Sequence, residues 1–254
     1  MDPEVPCGVT LAFTERTGGF SKGEFASLNL GSRCGDNLQH VQKNRQLVLE
    51  ALGAGEYFSR LLIPHQVHGS TVVCLSSDTS EAFEQVKTEA EAGADAIVCT
   101  VKNTPVLLAF ADCVPVILVA PGGFAVAHSG WKGTIARISA CTTEALCQVT
   151  GAKPSEVKAY IGPHIGSADY EVSSELIQMF SQEFGPNVVD RASGERYLDL
   201  GYAVRAALID AGVRESAIEE ITDSTASTTA RFFSYRAEHG KCGRHAAVAY
   251  MAAK

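Results

Sequence analysis

The chain has 254 residues, of which 46% are hydrophobic and 20% charged, with a formal net charge of -8 at pH 7. That length supports a sizeable core in one large or two small domains. The acidic balance, unopposed by any basic run, excludes a nucleic-acid surface, and no apolar run reaches the length of a membrane span. Residues 9–14 read as a first strand, followed by a turn-rich loop to Gly35 that contains GGFSKGEFASLNLG. Asp36 is expected to cap a helix from about 37 to 52, whose apolar positions (Leu38, Val41, Val48, Leu49, Leu52) form a partial face and which Gly53 ends. Residues 60–63 and 71–75 read as strands on either side of Pro64-His65-Gln66-Val67-His68-Gly69. Residues 76–93 are acidic with weak helical periodicity and read as a solvated excursion, after which 95–100 resume the sheet.

The stretch 104–133, TPVLLAFADCVPVILVAPGGFAVAHSGWKG, organises the rest. Its three apolar runs (105–111, 114–120, 124–127) are short, Val-rich and broken by Pro and Gly, as buried strands are. An amphipathic helix over 134–150 follows, stopped by Gly151, then a strand over 157–161 leading into IGPHIG and Tyr170-Glu171-Val172. Helices over 173–184 and 200–211 and strands over 231–235 and 245–251 complete the chain. Strands and helices mix without a regular βαβ alternation, so the expected fold class is α+β, with mixed β-sheets flanked by helices in a single domain over 1–254. The N-terminal MDPEVPCGVT has neither a basic n-region nor an apolar core segment, and no signal peptide is read there. The eight cysteines lack the spacing of a disulfide framework, which points to reduced thiols and a cytoplasmic location.

Asp112, Cys113 and His128 are polar residues set at the ends of apolar strands. A thiol and an imidazole so placed form either a metal site or a Cys/His nucleophile site, with a buried Cys and a hydrogen-bonded His as the plain structural alternative. His68 offers a further imidazole. The separations His68–Cys113–His128, 45 and 15 positions, are unlike a structural zinc finger and suit three ligands drawn from different strand ends, leaving a fourth position open. His65 would point to the opposite face from His68 in an extended segment, and either contacts substrate or is a structural His. Asp112 reads as a second acceptor, a general acid or base, or a turn cap. Arg45, on a helix after a polar loop, is either a bidentate phosphate donor or a surface charge. Lys132 and Arg244 are weaker cationic candidates, and Trp131 is expected to pack beneath the site. His239-x-x-Cys242-x-x-His245 has ligand-type residues but reads as a chance juxtaposition.

The strings HQVHG, ADCVPVILV and AHSGWKG, in this order, resemble the laccase-domain family, also called the multicopper polyphenol oxidoreductase or YfiH-type family. The resemblance extends over nearly the whole chain. It takes in GGFSKGEFASLNLG with GDN and Asn44-Arg45, IGPHIG with Tyr170-Glu171-Val172, Leu198-Asp199-Leu200, and Phe232-Phe233-Ser234-Tyr235-Arg236. It implies zinc held by His68, Cys113 and His128. It also implies phosphorolysis of purine nucleosides (adenosine, inosine and methylthioadenosine, to free base and ribose 1-phosphate), some adenosine deamination and, in some bacterial members, hydrolytic editing of cell-wall precursors. A laccase-type multicopper centre needs about ten His and Cys ligands, and the chain has seven histidines in all. The resemblance favours Arg45 as the phosphate holder and Ser27 and Asn29 as nucleoside contacts, and leaves Asp112 as the expected proton-transfer group. Two departures stand out: Ser167-Ala168-Asp169 and Ser224-Thr225 occupy blocks where family members often carry cysteines. The expected partners are a purine nucleoside and phosphate, with neither nucleic acid nor membrane. The alternative enzyme is a metal-free hydrolase with Cys113 as nucleophile and His128 as base.

Overall fold

The computed structural model describes residues 6–253. In chain order its elements are β1 (Val9–Phe13), α1 (Leu38–Ala51), β2 (Val72–Leu75), α2 (Ser80–Gly93), β3 (Ala96–Cys99), β4 (Val106–Phe110), β5 (Val114–Ala120) and β6 (Gly123–Ser129). There follow α3 (Trp131–Ile135), α4 (Ile138–Thr150), β7 (Lys158–Ile161), α5 (Ser174–Phe184), α6 (Leu200–Asp210), β8 (Ile218–Glu220) and β9 (His245–Met251). One sheet runs β2-β3-β6-β5-β7-β8 and the other β1-β9-β4. The larger sheet mixes parallel pairs (β2 with β3, β7 with β8) with antiparallel ones, whereas the smaller is antiparallel throughout. This is the expected α+β class with mixed sheets.

The unbroken apolar runs have a simple cause: β5, β6 and β9 are buried at every position. Side chains alternate across a strand, so Val116 and Leu118 of β5 face one core while Ile117 and Val119 face another. The first core lies between the larger sheet and α4, α5 and α6, with Leu146, Phe180 and Val204 packed in it. The second lies between the two sheets, where Leu108 and Ala247 meet Ile117 and Val126. The outer face of the smaller sheet carries Leu107 and Val248 and is covered by Val48 and Leu49 of α1. The result is a layering of helices, sheet, sheet and helix, with both sheets buried on both faces. Pro115 is tolerated in a central strand because it is the second residue of β5, where few ladder bonds are lost.

Several elements depart from what the pattern suggests. Residues 80–93, expected as a solvated excursion, form α2: Thr79 caps it by accepting the Ala82 N–H, and Phe83, Val86 and Ala90 bury a narrow stripe while the acids face water. The cap of α1 is Asn37, not Asp36, because the Asn37 side chain accepts the Gln39 N–H while the Asp36 carboxylate is taken by the Asn37 N–H and the Ser21 and Asn29 side chains. Residues 60–63 are no strand; a 3-10 turn over Gly55–Arg60 precedes a single bridge from Leu62 to Val106. The one helix expected from residue 134 is two, α3 and α4, broken by Arg137 in the left-handed region (φ 57°). Residues 231–235 also form no ladder. Phe232 and Phe233 are buried from a turn whose Phe232 N–H goes to the Thr228 carbonyl.

Candidate metal centre and cavity

Two loops and a strand deliver the cluster. His68 sits in the loop before β2 with φ 61°, Cys113 follows Asp112 (φ 81°) in the link between β4 and β5, and His128 is near the end of β6. That link joins the two sheets, so the tight backbone at Asp112 sets Cys113 at their common end. The ligand-type atoms of His68, Cys113 and His128 all lie within 4.8 Å of one another, and the two imidazoles meet edge to face with centroids 4.7 Å apart. A tetrahedral ion with bonds of about 2.0–2.3 Å places its donors roughly 3.3–3.8 Å apart, so the cluster accommodates one with small adjustments. Gly130 supports the fit: a Cβ there would lie 2.8 Å from His68 Cδ2 and 3.2 Å from Cys113 Sγ. The residues therefore fit a metal ion, with two nitrogens and one thiolate sulfur as donors.

One fully buried carboxylate arranges two of the three ligands. Asp95 Oδ1 accepts the Nδ1–H of His128 at 2.8 Å and the backbone N–H of His68 at 3.0 Å. Its Oδ2 accepts the N–H groups of Gly69 (2.7 Å) and Val67 (3.3 Å). The contact fixes the His128 tautomer, leaving Nε2 as the lone-pair donor. Burial works against ionisation of Asp95, yet His128 and the backbone donors together hold its carboxyl below the usual range. Burial likewise opposes charge on Cys113 and His128, but each is charged by the other: the thiol is pulled down by the imidazoles, and His128 is raised by Cys113 and Asp95. The cluster thus favours a thiolate, the form that ligates metals and attacks carbon.

A cavity of about 630 Å³ opens beside the cluster, with Trp131, Tyr170 and Tyr235 among its walls. Arg45 reaches it from α1. Its Nε and Nη2 donate to the Leu30 carbonyl at 3.0 and 2.8 Å, and no carboxylate among the described residues lies within salt-bridge distance. Burial lowers its guanidinium to about 10, offset in part by Cys34. A nearly buried cation without a counterion calls for an anion.

Residues 10–252 match the family model described as multi-copper polyphenol oxidoreductase laccase. The chain belongs to this laccase family. A relative in Deinococcus radiodurans, a purine nucleoside phosphorylase, is 37% identical over 94% of this chain and 88% of its own length. Adenosine deaminase RL5, from an unknown prokaryotic organism, is 30% identical over 90% of this chain and 88% of its own length. The crystal structure of YlmD from Geobacillus stearothermophilus superposes with a TM-score of 0.87 at 30% identity, covering 99% of this chain and 94% of that one.

In this laccase-family chain the structure gathers His68, Cys113 and His128 as the spacing suggests, and sets Asp112 and Arg45 on the same cavity. Ser27, Asn29 and His65 do not line it. The Ser27 hydroxyl accepts the Gly19 N–H and donates to the Arg16 carbonyl. Asn29 is fully buried, its amide bonded to Gly31 and Asp36 and its carbonyl accepting the Arg244 N–H. Both are therefore wall-builders behind the cavity, not contacts within it. His65 is pinned through its main chain to Ala90 and Ala94. Asp112 is not a free acid or base: Oδ1 accepts the Thr225 hydroxyl at 2.7 Å and Oδ2 the Arg236 N–H at 2.6 Å, so it ties two distant loops to the Cys113 turn. Trp131 does not pack beneath the site but stands at the cavity, 36% exposed.

Asp95 was hidden in the sequence; its only trace is an acid opening the apolar run Ala96–Cys99. Among the described residues His239, Cys242 and His245 form no ligand cluster. His245 is buried between Phe110 and Phe232, with neither ring nitrogen hydrogen-bonded, and burial pushes it down to about 3. The Cys242→Ala protein should accordingly keep its full metal content by elemental analysis; a loss of metal would place a second site there.

Proposed function

We propose that the chain is a zinc-dependent purine nucleoside phosphorylase, converting adenosine, inosine or methylthioadenosine with phosphate to free base and ribose 1-phosphate. The observation that carries this reading is the nearly buried, counterion-free Arg45 on the same cavity as a three-ligand His/Cys/His cluster. Two imidazoles and a thiolate with an open fourth position are a zinc donor set, and they fall far short of a multicopper centre. His68, Cys113 and His128 would hold the ion, which supplies Lewis-acid stabilisation of negative charge on oxygen. Arg45 holds the phosphate and orients it by two parallel hydrogen bonds, and its burial excludes water that would weaken them. A phosphate oxygen forms the bond to the sugar C1′ as the C1′–N9 bond breaks, and the electron pair departs on the purine, which takes up a proton. Tyr170 and Trp131 supply flat apolar surface for the base. Water in place of phosphate, attacking the purine ring, gives the adenosine deamination for which one relative is named.

A second reading has one observation in its favour: the Cys113 thiol, lowered by its imidazole neighbours, suits a metal-free Cys/His hydrolase. Iodoacetamide separates the two. A zinc thiolate reacts only after a chelator is added, whereas a free nucleophile reacts at once. The eight free cysteines support a reducing, cytoplasmic setting, and among the described residues no helix is long and apolar enough to cross a membrane.

The purified protein should hold about one zinc per chain, and Cys113→Ser and His128→Ala should each lose the metal and the activity together. The decisive assay incubates a set of purine nucleosides with and without phosphate and identifies products by mass spectrometry. Copper at one per chain without zinc, or no cleavage at any phosphate concentration, would overturn the reading.

A further inference from the structure

Twelve arginines occur in the chain. Six of them (Arg16, Arg60, Arg137, Arg196, Arg205 and Arg231) pair with carboxylates. Of the remaining six, four line this one cavity: Arg33, Arg45, Arg236 and Arg244. The single carboxylate among the described lining residues is Asp112, both of whose oxygens accept protein hydrogen bonds. Four guanidiniums against the Asp112 carboxylate and the Cys113 thiolate leave a surplus of two positive charges, to which a divalent ion on the cluster would add two more, in a chain whose net charge is -8. A phosphoryl group carries about one and a half to two negative charges near neutral pH, so one inorganic phosphate does not balance the cavity.

The four cations also divide by position. Arg45 holds the Leu30 carbonyl, the Arg244 side chain packs where a Gly31 Cβ would be, and Arg33 continues the same loop, so these three belong to one wall. Arg236 belongs to another. Its N–H is on Asp112, the neighbour of Cys113, and its guanidinium lies over the Tyr170 ring at 5.2 Å, anchored by one bond to the Glu171 carbonyl. A guanidinium held over a ring face keeps its remaining N–H groups free for an oxyanion.

We propose that the cavity takes a purine nucleoside that itself carries a phosphate, a nucleoside 5′-monophosphate, with the ester phosphate on Arg236 and the inorganic phosphate on the Arg45 wall. This rests on the nucleoside reading above and extends its substrate class to the 5′-phosphorylated nucleoside. The chemistry balances as before: phosphate oxygen bonds to C1′, the C1′–N9 bond breaks onto the purine, which is protonated, and the sugar leaves as a 1,5-bisphosphate.

The test is calorimetric titration of the zinc-loaded protein with AMP and with adenosine, first without and then with saturating inorganic phosphate. AMP should bind at least about tenfold more tightly than adenosine, as expected for one added charge-assisted bidentate contact. Its affinity should fall with salt, and inorganic phosphate should leave it in place. The Arg236 side chain is exposed and makes one bond, to a main-chain carbonyl, so Arg236→Ala should keep the wild-type melting temperature while bringing the AMP-to-adenosine ratio to within about twofold. Equal affinities, displacement of AMP by inorganic phosphate, or an unchanged ratio in Arg236→Ala would each overturn the proposal. Adenosine cleavage without preferential AMP binding removes this proposal alone; AMP binding without cleavage of any nucleoside or nucleotide removes the phosphorylase reading and AMP as a substrate with it, leaving only the ester-phosphate contact on Arg236.

Discussion

Asp95→Asn is expected to cost the protein about 3–5 kcal/mol and to weaken metal binding by the His68/Cys113/His128 cluster, although the two side chains have nearly the same shape. Four donors converge on the carboxylate: the N–H groups of Val67, His68 and Gly69, and Nδ1–H of His128. An amide has one acceptor oxygen, and its NH₂ must then face donors. At a site with no solvent exposure, each donor left without a partner costs roughly 1–3 kcal/mol. The loop that carries His68 loses its anchor and His128 its fixed tautomer, so zinc affinity should fall by one to two decades or more. Thermal unfolding of the chelated protein and zinc titration measure the two effects separately. The pH dependence adds a check on sign. The folded carboxyl is lowered, so its stabilising contribution is complete above the unfolded value near 3.9 and is lost as pH falls through the folded value. The stability gap between wild type and Asp95→Asn should therefore shrink as pH falls below about 4. A gap that persists unchanged in strong acid would show that the carboxylate charge is not what the loop relies on.

Arg45→Ala should reduce phosphate-dependent nucleoside cleavage by roughly one to three decades, from the loss of about 2–5 kcal/mol in a charge-assisted pair. Zinc content should stay intact, because none of the three ligands touches Arg45 through a hydrogen bond. Deamination of adenosine, which uses water, should suffer less. The measurement is kcat/KM for both reactions across a phosphate titration, with Arg45→Lys alongside. Lysine keeps the charge but cannot hold the Leu30 carbonyl and an anion with one planar fork, so it should restore only part of the rate. Wild-type phosphate dependence in Arg45→Ala would remove Arg45 as the anion holder.

The His68/Cys113/His128 cluster was legible in the sequence because its chemistry is rare where it occurs: a thiol and imidazoles at the ends of apolar runs have few structural reasons to be there. The strands were legible for a related reason, since burial on both faces of β5 and β6 leaves continuous apolar text. The helix over Ser80–Gly93 was not, because three buried residues among many acids give a thin stripe. Asp95 was hidden because three of its four partners are main-chain N–H groups 26 to 28 positions away, which leave no side-chain signature, and the fourth, His128, is 33 positions away. The same holds for Ser27 and Asn29, polar residues in a recognisable block whose bonds turn inward to build the wall. The cationic lining was legible only in part: Arg45 and Arg244 stood out as candidates, but Arg33 and Arg236 did not, because the four come from opposite ends of the chain and only the fold adds them together.

The pairing of β1 with β9 has a consequence for how the molecule is made. β9 is the middle strand of its sheet, with β1 on one side and β4 on the other, and it is the last strand in the chain. During synthesis, Val9 emerges more than two hundred residues before its partner Met251. At about 5–20 residues per second, β1 waits on the order of ten seconds or longer with its edge unpaired. β4 waits with it, and so does the Cys113 turn that β4 positions. The nascent chain therefore carries open strand edges until β9 emerges. Assembly of this sheet is a closing event, and the turn that sets Cys113 beside His68 and His128 is fixed only with it.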